Sequence, residues 1–496
     1  MRLAATLVFL MSLGVHAQGV PDAFEITQRF ADSGAPQIAF ARVEQFQPAA
    51  PTAPRWADWE QLRCTLLSRL GRHQDLTRRV AALPAGAPDK LVRACLPQGA
   101  RAALANAQGA IARGFLARLI WRQDLAVEEL RQARLLVIET YLAEDQPAES
   151  YRLMLRYQQD YKPVDRETAA RFVDALLAAG MDKEAVNWFS QLDDASPLKL
   201  LLRLKNNLIP PDAAIAQARA ALAKSSHVAY WIVLQHAAGL QKDRILQVEA
   251  LENLLQLAGD KPAERLAAIA AELWNAYAGA AQDVANRNQL LVGDDAGWAD
   301  FAARRSAASA TAGRAFFAYL ALQSKVRATR QSAQLQLAFS LQSAKLAQTA
   351  VRLFDDAARF PAAQIDPQAR FLLGGMAADN NQPAVAARYW QGLATPPTLA
   401  PDEWRIRLAP VLVRAGIAEP GADQLRALIA GKQALAADVV QRAVAVVQEL
   451  QDTGFFKTAD ELYRALLPLA AVRERREILY ALARIAESLN DCDYSA

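Results

Sequence analysis

The chain has few of the side-chain combinations that enzyme chemistry needs. Only four histidines occur among its 496 residues, and none belongs to a His-Glu-x-x-His zinc motif. There is no Gly-x-Ser-x-Gly nucleophile motif and no glycine-rich phosphate loop ending in Lys-Ser or Lys-Thr. The carboxylate pairs, Asp193-Asp194 and Asp355-Asp356 among them, are adjacent in sequence, so their side chains diverge on a helix. We therefore predict no catalytic residue, no cofactor and no bound metal, and we expect a protein that is not an enzyme.

Three cysteines, Cys64, Cys95 and Cys492, are the remaining reactive side chains. Without clustered histidines they give no zinc-ligand spacing. Cys64 and Cys95 fall on neighbouring predicted helices, so in an oxidising compartment they can form a disulfide. The alternative is that both are small buried hydrophobic residues that never meet.

The first residues indicate an exported protein. Arg2 precedes an apolar run over 3–14, and Val15-His16-Ala17 fits the small-x-small pattern of a signal-peptidase site. The run is too short to span a bilayer, and no later stretch reaches 18 uncharged apolar residues. We expect a signal peptide over 1–17, cleavage after Ala17, and a periplasmic mature chain without a transmembrane segment. The alternative for this run is a buried N-terminal helix.

The composition favours a folded helical protein. Hydrophobic residues make up 53% of the chain and charged residues 22%, which is enough to bury a core and excludes a disordered chain. Glycine and proline are scarce, at 22 and 23 residues, which favours helix over sheet. The net charge is only +4, so electrostatics give no reason to expect a nucleic acid as partner.

Apolar residues recur at helical spacing along most of the chain. Between residues 167 and 192, one apolar stripe ends before Gly180 and a second begins after it. A glycine permits the left-handed turn that ends a helix, and Asp182 can cap the helix that follows. Each such pair is a helical hairpin, which must stack on a neighbour because it cannot bury its apolar face alone.

These hairpins resemble the tetratricopeptide-repeat family, in which a turn glycine is followed by a small residue, an aromatic residue and a closing proline. The matching residues are Gly180, Ala185, Phe189, Leu192 and Pro197; Leu373-Gly374, Asn381, Ala386, Trp390 and Leu393; Gly454, Ala459, Tyr463 and Leu466; and, more loosely, Gly416, Gly421, Leu425 and Leu428. The small residue lets two helices approach closely, and the aromatic residue fills the space between successive hairpins. The resemblance implies an all-α, tetratricopeptide-like α-solenoid of stacked helical hairpins forming a curved superhelix, and it is weakest over residues 200–365.

In that family, a groove on the inner face is lined by residues from the first helix of each hairpin. The resemblance places such positions at Phe371, Asp379, Ile406, Arg414, Gln448 and Asp452. A groove that mixes apolar and amide groups suits an extended protein or peptide segment. The Lys, Arg and Asn clamp with which some relatives hold a terminal carboxylate is absent, so the identity of the partner stays open.

Two stretches interrupt the repeats. Residues 48–54 are predicted to be a proline-rich linker between an N-terminal helical hairpin (18–47) and an irregular helical-repeat region (55–289). Residues 290–308 are predicted to be a loop break, either a connection or a binding loop, in which Trp298 is the tryptophan most expected to be exposed. Tetratricopeptide-like repeats then fill 309–496. The last repeat looks incomplete, with a first helix over 476–489 and a turn at Asn490-Asp491.

Two functions fit these features. One is an exported, non-enzymatic scaffold that mediates protein–protein interactions in the bacterial envelope. The other is the helical-repeat portion of a larger peptidoglycan-processing enzyme or polysaccharide-export protein, whose catalytic or barrel part lies beyond residue 496; this is an analogy of fold only. The missing enzyme motifs favour the scaffold.

Overall fold

The computed structural model describes residues 22–122, 124–259, 261–287 and 294–493, apart from the side chains of residue 307 and residues 487–493. The predicted signal peptide over 1–17 and the side chain of Cys492 therefore lie outside the described part. Every regular element in those ranges is helical, which confirms the predicted all-α class. Among the described helices, none combines the length and the apolar character needed to cross a bilayer.

The chain divides into two compact units, one ending at Leu202 and the other beginning at Arg203. The helices of the first unit are α1 (Ala23–Asp32), α2 (Pro36–Phe46), α3 (Trp56–Arg69), α4 (His73–Ala81), α5 (Asp89–Ala105), α6 (Gly109–Ile120), α7 (Val127–Ala143), α8 (Pro147–Asp160), α9 (Arg166–Ala178) and α10 (Asp182–Ala185). A 3-10 turn, Val186–Gln191, continues α10, and the boundary falls within α11 (Pro197–Lys205).

The second unit carries the remaining helices. They are α12 (Pro211–Leu222), α13 (Val228–Gln241), α14 (Arg244–Gln256), α15 (Ala263–Arg287), α16 (Asp295–Ala308), α17 (Ala310–Gln323), α18 (Arg327–Ser343), α19 (Ala347–Leu353), α20 (Pro367–Asp379), α21 (Pro383–Trp390), α22 (Pro401–Arg414), α23 (Ala418–Ile429), α24 (Ala437–Asp452), α25 (Phe456–Leu466) and α26 (Val472–Asp493). Consecutive helices from α20 to α25 pack as hairpins, and α18, α20, α22 and α24 are first helices of such pairs. The predicted tetratricopeptide-like stacking of helical hairpins is therefore confirmed.

A recurring left-handed turn joins the two helices of a hairpin. At Gly180 φ is +72°, the Met181 N–H donates to the Leu176 carbonyl at 2.8 Å, and the Gly180 N–H donates to the Leu177 carbonyl at 3.2 Å. This pair of hydrogen bonds is the Schellman cap of a helix C-terminus. The same pair closes α20, α22 and α24, with Asn381, Gly416 and Gly454 as the left-handed residues. All four turn residues are those that the sequence predicted.

Five further turns, at Ala107, Asp145, Asn207, Lys242 and Lys345, have the same geometry without a glycine. Ala107, Asp145 and Lys345 adopt φ values of +56°, +55° and +62°. The following residue donates in each case to the carbonyl five residues back, at 2.8–2.9 Å. Alanine and lysine rarely adopt a left-handed backbone, so no sequence signal marks the turns at Ala107 and Lys345. The hairpin repeat therefore continues through stretches in which the sequence shows it only weakly.

Small residues mark the places where helices approach most closely. Ala185, Ala386 and Ala459, which were predicted for these places, have no exposed surface. One such contact lies between α20 and α21, where a β-carbon on Gly374 would stand 2.2 Å from Nε1 of Trp390. The indole N–H donates to the Phe371 carbonyl at 3.0 Å, which fixes the ring against α20.

The N-terminal hairpin packs on α3 rather than standing apart from it. The ring of Phe24 contacts Trp59 edge-to-face, with centroids 5.1 Å apart, and both residues are buried. Gln47 Nε2 donates to the buried carboxylate of Glu60 at 2.6 Å. Residues 48–54 form turns and bends, but α1, α2 and α3 share one apolar core. The predicted linker therefore does not separate two bodies.

The predicted loop break over 290–308 is wrong from residue 295 onward, because α16 begins there. Asp294 caps this helix through its carboxylate, which accepts from the Gly297 N–H at 2.9 Å. Trp298 is 3% exposed and stacks on Tyr319, with ring centroids 4.4 Å apart. The sequence DDAGW is thus a capped helix start, and the expectation of an exposed Trp298 is also wrong. Residues 290–293 lie outside the described part.

The last helix is longer than predicted. It extends from Val472 to Asp493, so the turn expected at Asn490-Asp491 does not form. Ile478 and Ile485 have no exposed surface and pack with α24 and α25.

A buried polar cluster connects α14, α15 and α17 in the second unit. Arg314 Nε donates to Glu252 Oε1 at 2.7 Å, and the Tyr277 hydroxyl donates to the same oxygen at 2.6 Å. The side chains of Glu252 and Arg314 are 1% and 5% exposed. Burial raises the pKa of Glu252 from its ordinary value, against the opposing hydrogen bond from Arg314. The Thr349 hydroxyl donates to the Glu252 carbonyl at 2.7 Å, which ties α19 to the same place.

We predict that Gly374→Ala destabilises the protein and that the neighbouring Gly375→Ala does not. A β-carbon at Gly374 must displace a buried indole, and such overpacking costs about 1–3 kcal/mol. At Gly375 the nearest atom is 3.9 Å away, so alanine brings only its higher helix propensity, about 1 kcal/mol. Chemical unfolding followed by circular dichroism measures both variants. Equal effects of the two substitutions would contradict this packing.

We predict that Arg314→Met costs about 3–5 kcal/mol near pH 7, because it leaves the Glu252 carboxylate buried without its cation. Burial raises the pKa of Glu252 in the folded state, and the loss of Arg314 raises it further. Protonation of Glu252 then favours folding. Its contribution to the free energy of unfolding is complete below the pKa of Glu252 in the unfolded state, and it is lost as the pH rises through the pKa of Glu252 in the folded state.

The destabilisation by Arg314→Met is therefore smaller at pH 5 than at pH 7 in urea unfolding. The double variant Glu252→Gln/Arg314→Met is the control and shows no such pH dependence. A cost for Arg314→Met that is the same at both pH values would contradict the prediction.

Candidate functional site

A groove crosses the first helices α18, α20, α22 and α24 of the second unit and encloses a cavity of about 570 Å³. Its centre is lined by Gly375, Pro410 and Ala445, which lie 35 residues apart on successive helices. A β-carbon on Gly375 would meet no atom closer than 3.9 Å, and Ala445 is exposed, so the row leaves space that larger side chains would fill. The groove is therefore a consequence of which residues occupy one repeated position.

Aromatic and aliphatic side chains form one wall. Phe371 and Trp390 lie nearly parallel, with ring centroids 6.1 Å apart, and Trp404 packs against Trp390 at 5.2 Å. Ile406 lines the cavity from a nearly buried position, with 1% of its surface exposed. Pro410 has no N–H to donate to the Ile406 carbonyl, so an acceptor inside α22 lacks its helical donor.

Arginines line the edge of the groove toward the beginnings of α22 and α24. Arg407 Nε donates to Glu403 Oε1 at 2.8 Å, and Arg442 Nη1 donates to Glu403 Oε2 at 3.2 Å. Arg407 and Arg442 both line the cavity. The hydrogen bond from Arg407, followed by that from Arg442, holds the pKa of Glu403 below its ordinary value. The ionised carboxylate of Glu403 thus forms ion pairs with two guanidinium groups.

The opposite edge, toward the ends of α20, α22 and α24, carries Asp379, Arg414 and Glu449, which lie 35 residues apart. Arg414 Nε donates to both carboxylate oxygens of Glu449 at 3.0 Å, and this bond raises the pKa of Arg414. In the part of the chain that the structure describes, no cation lies within salt-bridge distance of Asp379.

The structure brings four of the six predicted groove residues together. Phe371, Asp379, Ile406 and Arg414 line the cavity. Gln448 and Asp452 instead line a neighbouring hollow of about 200 Å³ with Tyr463, Tyr480 and Arg484, between α24, α25 and α26.

The groove-lining residues that the sequence prediction missed are Gln342, Leu372, Gly375, Met376, Ala378, Trp390, Arg407, Pro410, Val411, Arg442, Ala445, Val446 and Glu449. Spacing could have found several of them. Glu449 follows Arg414 by the same 35 residues that separate Arg414 from Asp379, and Arg442 follows Arg407 by 35.

The first unit has a hollow of about 630 Å³ between α5, α7 and α9, but its lining is mostly charged. Arg131 pairs with Asp165, and Arg171 pairs with Glu139. The hollow lacks the apolar wall found in the second unit, and these ion pairs occupy its polar groups. The groove of the second unit is therefore the stronger candidate.

Cys64 on α3 and Cys95 on α5 face each other in the first unit. Their Sγ atoms are in contact and their α-carbons lie 5.9 Å apart, which is within the span that a disulfide bridges. Both side chains are fully buried. In the described residues, no group of three or more His, Cys, Asp or Glu side chains is placed to hold a metal ion.

No protein-family profile matches the chain, and neither does any curated protein. Three solved structures are similar to it. The APC/C hetero-tetramer Cut9–Hcn1 is 12% identical, and the match covers 93% of this chain and 89% of that chain with a TM-score of 0.34. The pentatricopeptide repeat protein PPR10 from maize is 13% identical (95% of this chain, 84% of that chain, TM-score 0.32), and Naa15/Naa10 bound to HypK-THB is 11% identical (94% of this chain, 77% of that chain, TM-score 0.21). These TM-scores are below 0.5, so the fold assignment rests on the hairpins described above.

Proposed function

We propose that the chain is an exported, non-enzymatic scaffold of the bacterial envelope, and that the groove of its second unit binds a segment of a partner protein. The observation that carries the binding proposal is the row of small residues, Gly375, Pro410 and Ala445, beside a wall of aromatic and aliphatic side chains. A cleft with an apolar wall and charged edges is the usual form of a peptide-binding surface.

The dimensions of the groove suit an extended segment or a helix. Adjacent packed helices lie about 8–10 Å apart, and an extended chain rises about 3.3 Å per residue. Three residues of an extended partner would therefore pass from α22 to α24, which pack directly on each other.

The charged groups in the groove support binding rather than catalysis. Arg407, Arg442 and Arg414 all hold carboxylates in ion pairs, and guanidinium groups stay protonated at any physiological pH. General acid–base catalysis needs a group that gains and loses a proton near the working pH. The export proposal rests on the signal-like first 17 residues and on the facing of Cys64 and Cys95.

We predict that Ala445→Trp abolishes partner binding, because the indole fills the centre of the groove. Ala445 is exposed, so the substitution leaves the apolar core intact. Ala427→Trp, at an exposed alanine on the second helix α23, is the matched control. Crosslinking in cells followed by affinity isolation compares both variants with the wild type. Retention of every partner by Ala445→Trp, or an equal loss with Ala427→Trp, would contradict the proposed site.

We predict that the protein isolated from the periplasm begins at Gln18 and carries Cys64 and Cys95 as a disulfide. Intact-mass measurement gives the N-terminus, and alkylation before and after reduction counts the free thiols. A chain that stays in the cytoplasm with residues 1–17 attached would contradict the export proposal. So would a chain in which both thiols are alkylated under denaturing conditions without prior reduction. Neither result would contradict the proposal that the groove binds a partner.

A further inference from the structure

The two edges of the groove carry opposite excess charge. The basic edge consists of Arg407 and Arg442 with Glu403 between them, so two cations share one anion. The acidic edge consists of Asp379, Arg414 and Glu449. Because Arg414 is engaged by Glu449, Asp379 keeps its full negative charge.

Neighbouring charges reinforce the basic edge. Asp402, which precedes Glu403, also accepts from two cations, Arg405 at 3.0 Å and Lys432 at 2.7 Å. The hydrogen bond from Lys432 is the largest cause of a lowered pKa of Asp402. The surroundings of Glu403 therefore hold more positive than negative charge. The partial positive charge at the beginning of a helix acts in the same direction at α22.

The distance between the two edges determines how far apart the charged side chains of a matching segment must be. Arg407 and Arg414 lie seven residues apart on α22, which is about 10 Å along a helix. Between the levels of Arg407 and Arg414 the cavity is lined by the apolar side chains of Met376 on α20, Val411 on α22 and Val446 on α24. A bound segment therefore meets positive charge at one end of its contact, an apolar surface in the middle, and negative charge at the other end.

We infer that the groove selects segments in which an apolar side chain is flanked by one acidic and one basic side chain about 10 Å apart. The acidic group faces Arg407 and Arg442, and the basic group faces Asp379. In an extended segment the two charges are about three residues apart, and in a helix about seven. This inference rests on the proposed function, because it names the chemistry of the segment that the groove accepts.

Charge at the edges affects selectivity more than affinity. An exposed ion pair changes affinity by about two- to five-fold, whereas burial of the apolar side chain of the segment (the apolar anchor) supplies most of the binding free energy. The preference for flanking charges must also weaken in high salt, because exposed charges are screened. Binding of the apolar anchor does not weaken in that way.

A displayed library of random 16-residue peptides tests the inference. Peptides are selected on the wild-type protein and counter-selected on Ala445→Trp, so that the retained pool depends on the groove. We expect this pool to be enriched in one acidic and one basic residue flanking an apolar residue. Selection on Asp379→Asn should lose the basic preference only, and selection on Arg407→Gln/Arg442→Gln should lose the acidic preference only.

Three results decide the matter. Loss of one preference with each variant, together with weaker preferences at high salt, supports the inference. A groove-dependent pool without charge preference, or one that Asp379→Asn leaves unchanged, overturns the inference while the proposed function stands. No groove-dependent peptides at all overturns both. Asp460→Asn, at a partly exposed aspartate on the second helix α25, is the control, and circular dichroism verifies that each variant is folded.

Discussion

The contact between Gly374 and the indole of Trp390 sets the distance between α20 and α21, and the groove depends on that distance. A β-carbon at Gly374 would stand 2.2 Å from the ring, and the indole is fixed by its hydrogen bond to the Phe371 carbonyl. The same ring lines the groove. At the neighbouring Gly375 the atom nearest to an added β-carbon is 3.9 Å away, so two adjacent glycines have different roles: one permits close packing and the other leaves room for a ligand.

Local signals account for the part of the fold that the sequence predicted. Gly180, Gly416 and Gly454 end helices because glycine adopts a left-handed turn without strain, and the structure has this turn at each of them. Lys345 forms the same turn without such a signal. The stretch DDAGW was misread because aspartate and glycine favour both loops and helix starts, and only the packing of Trp298 distinguishes the two.

Long-range contacts explain most of the remainder. Glu252 and Arg314 are 62 residues apart, and Thr349 meets the backbone of Glu252 across 97 residues. No local pattern can indicate such pairs, and they lie in the region where the resemblance to the repeat family is weakest. Local patterns therefore predict hairpins well, but they do not predict how the irregular hairpins between residues 244 and 353 pack together.

The candidate site was predicted in part because its positions repeat. Phe371 and Ile406 occupy equivalent places on successive helices, as do Asp379 and Arg414, and all four line the cavity. Their 35-residue spacing leads next to Glu449 rather than to Gln448. The small residues at the centre could not be recognised from sequence, because a glycine, a proline and an alanine share no chemistry; only their equivalent places in the structure show that together they leave a space.

The central claim is that the groove of the second unit is where a partner lies. The most direct measurement places a photocrosslinking amino acid in turn at the groove-lining positions Gln342, Arg407 and Arg414, and at Ala427, Lys457 and Arg464 on the second helices, in the cell. Mass spectrometry then maps the crosslinked segment of the partner. The account predicts crosslinks from the three groove positions to one short segment and none from the second helices. Crosslinks that arise only from the second helices, or equally from both faces, would contradict it.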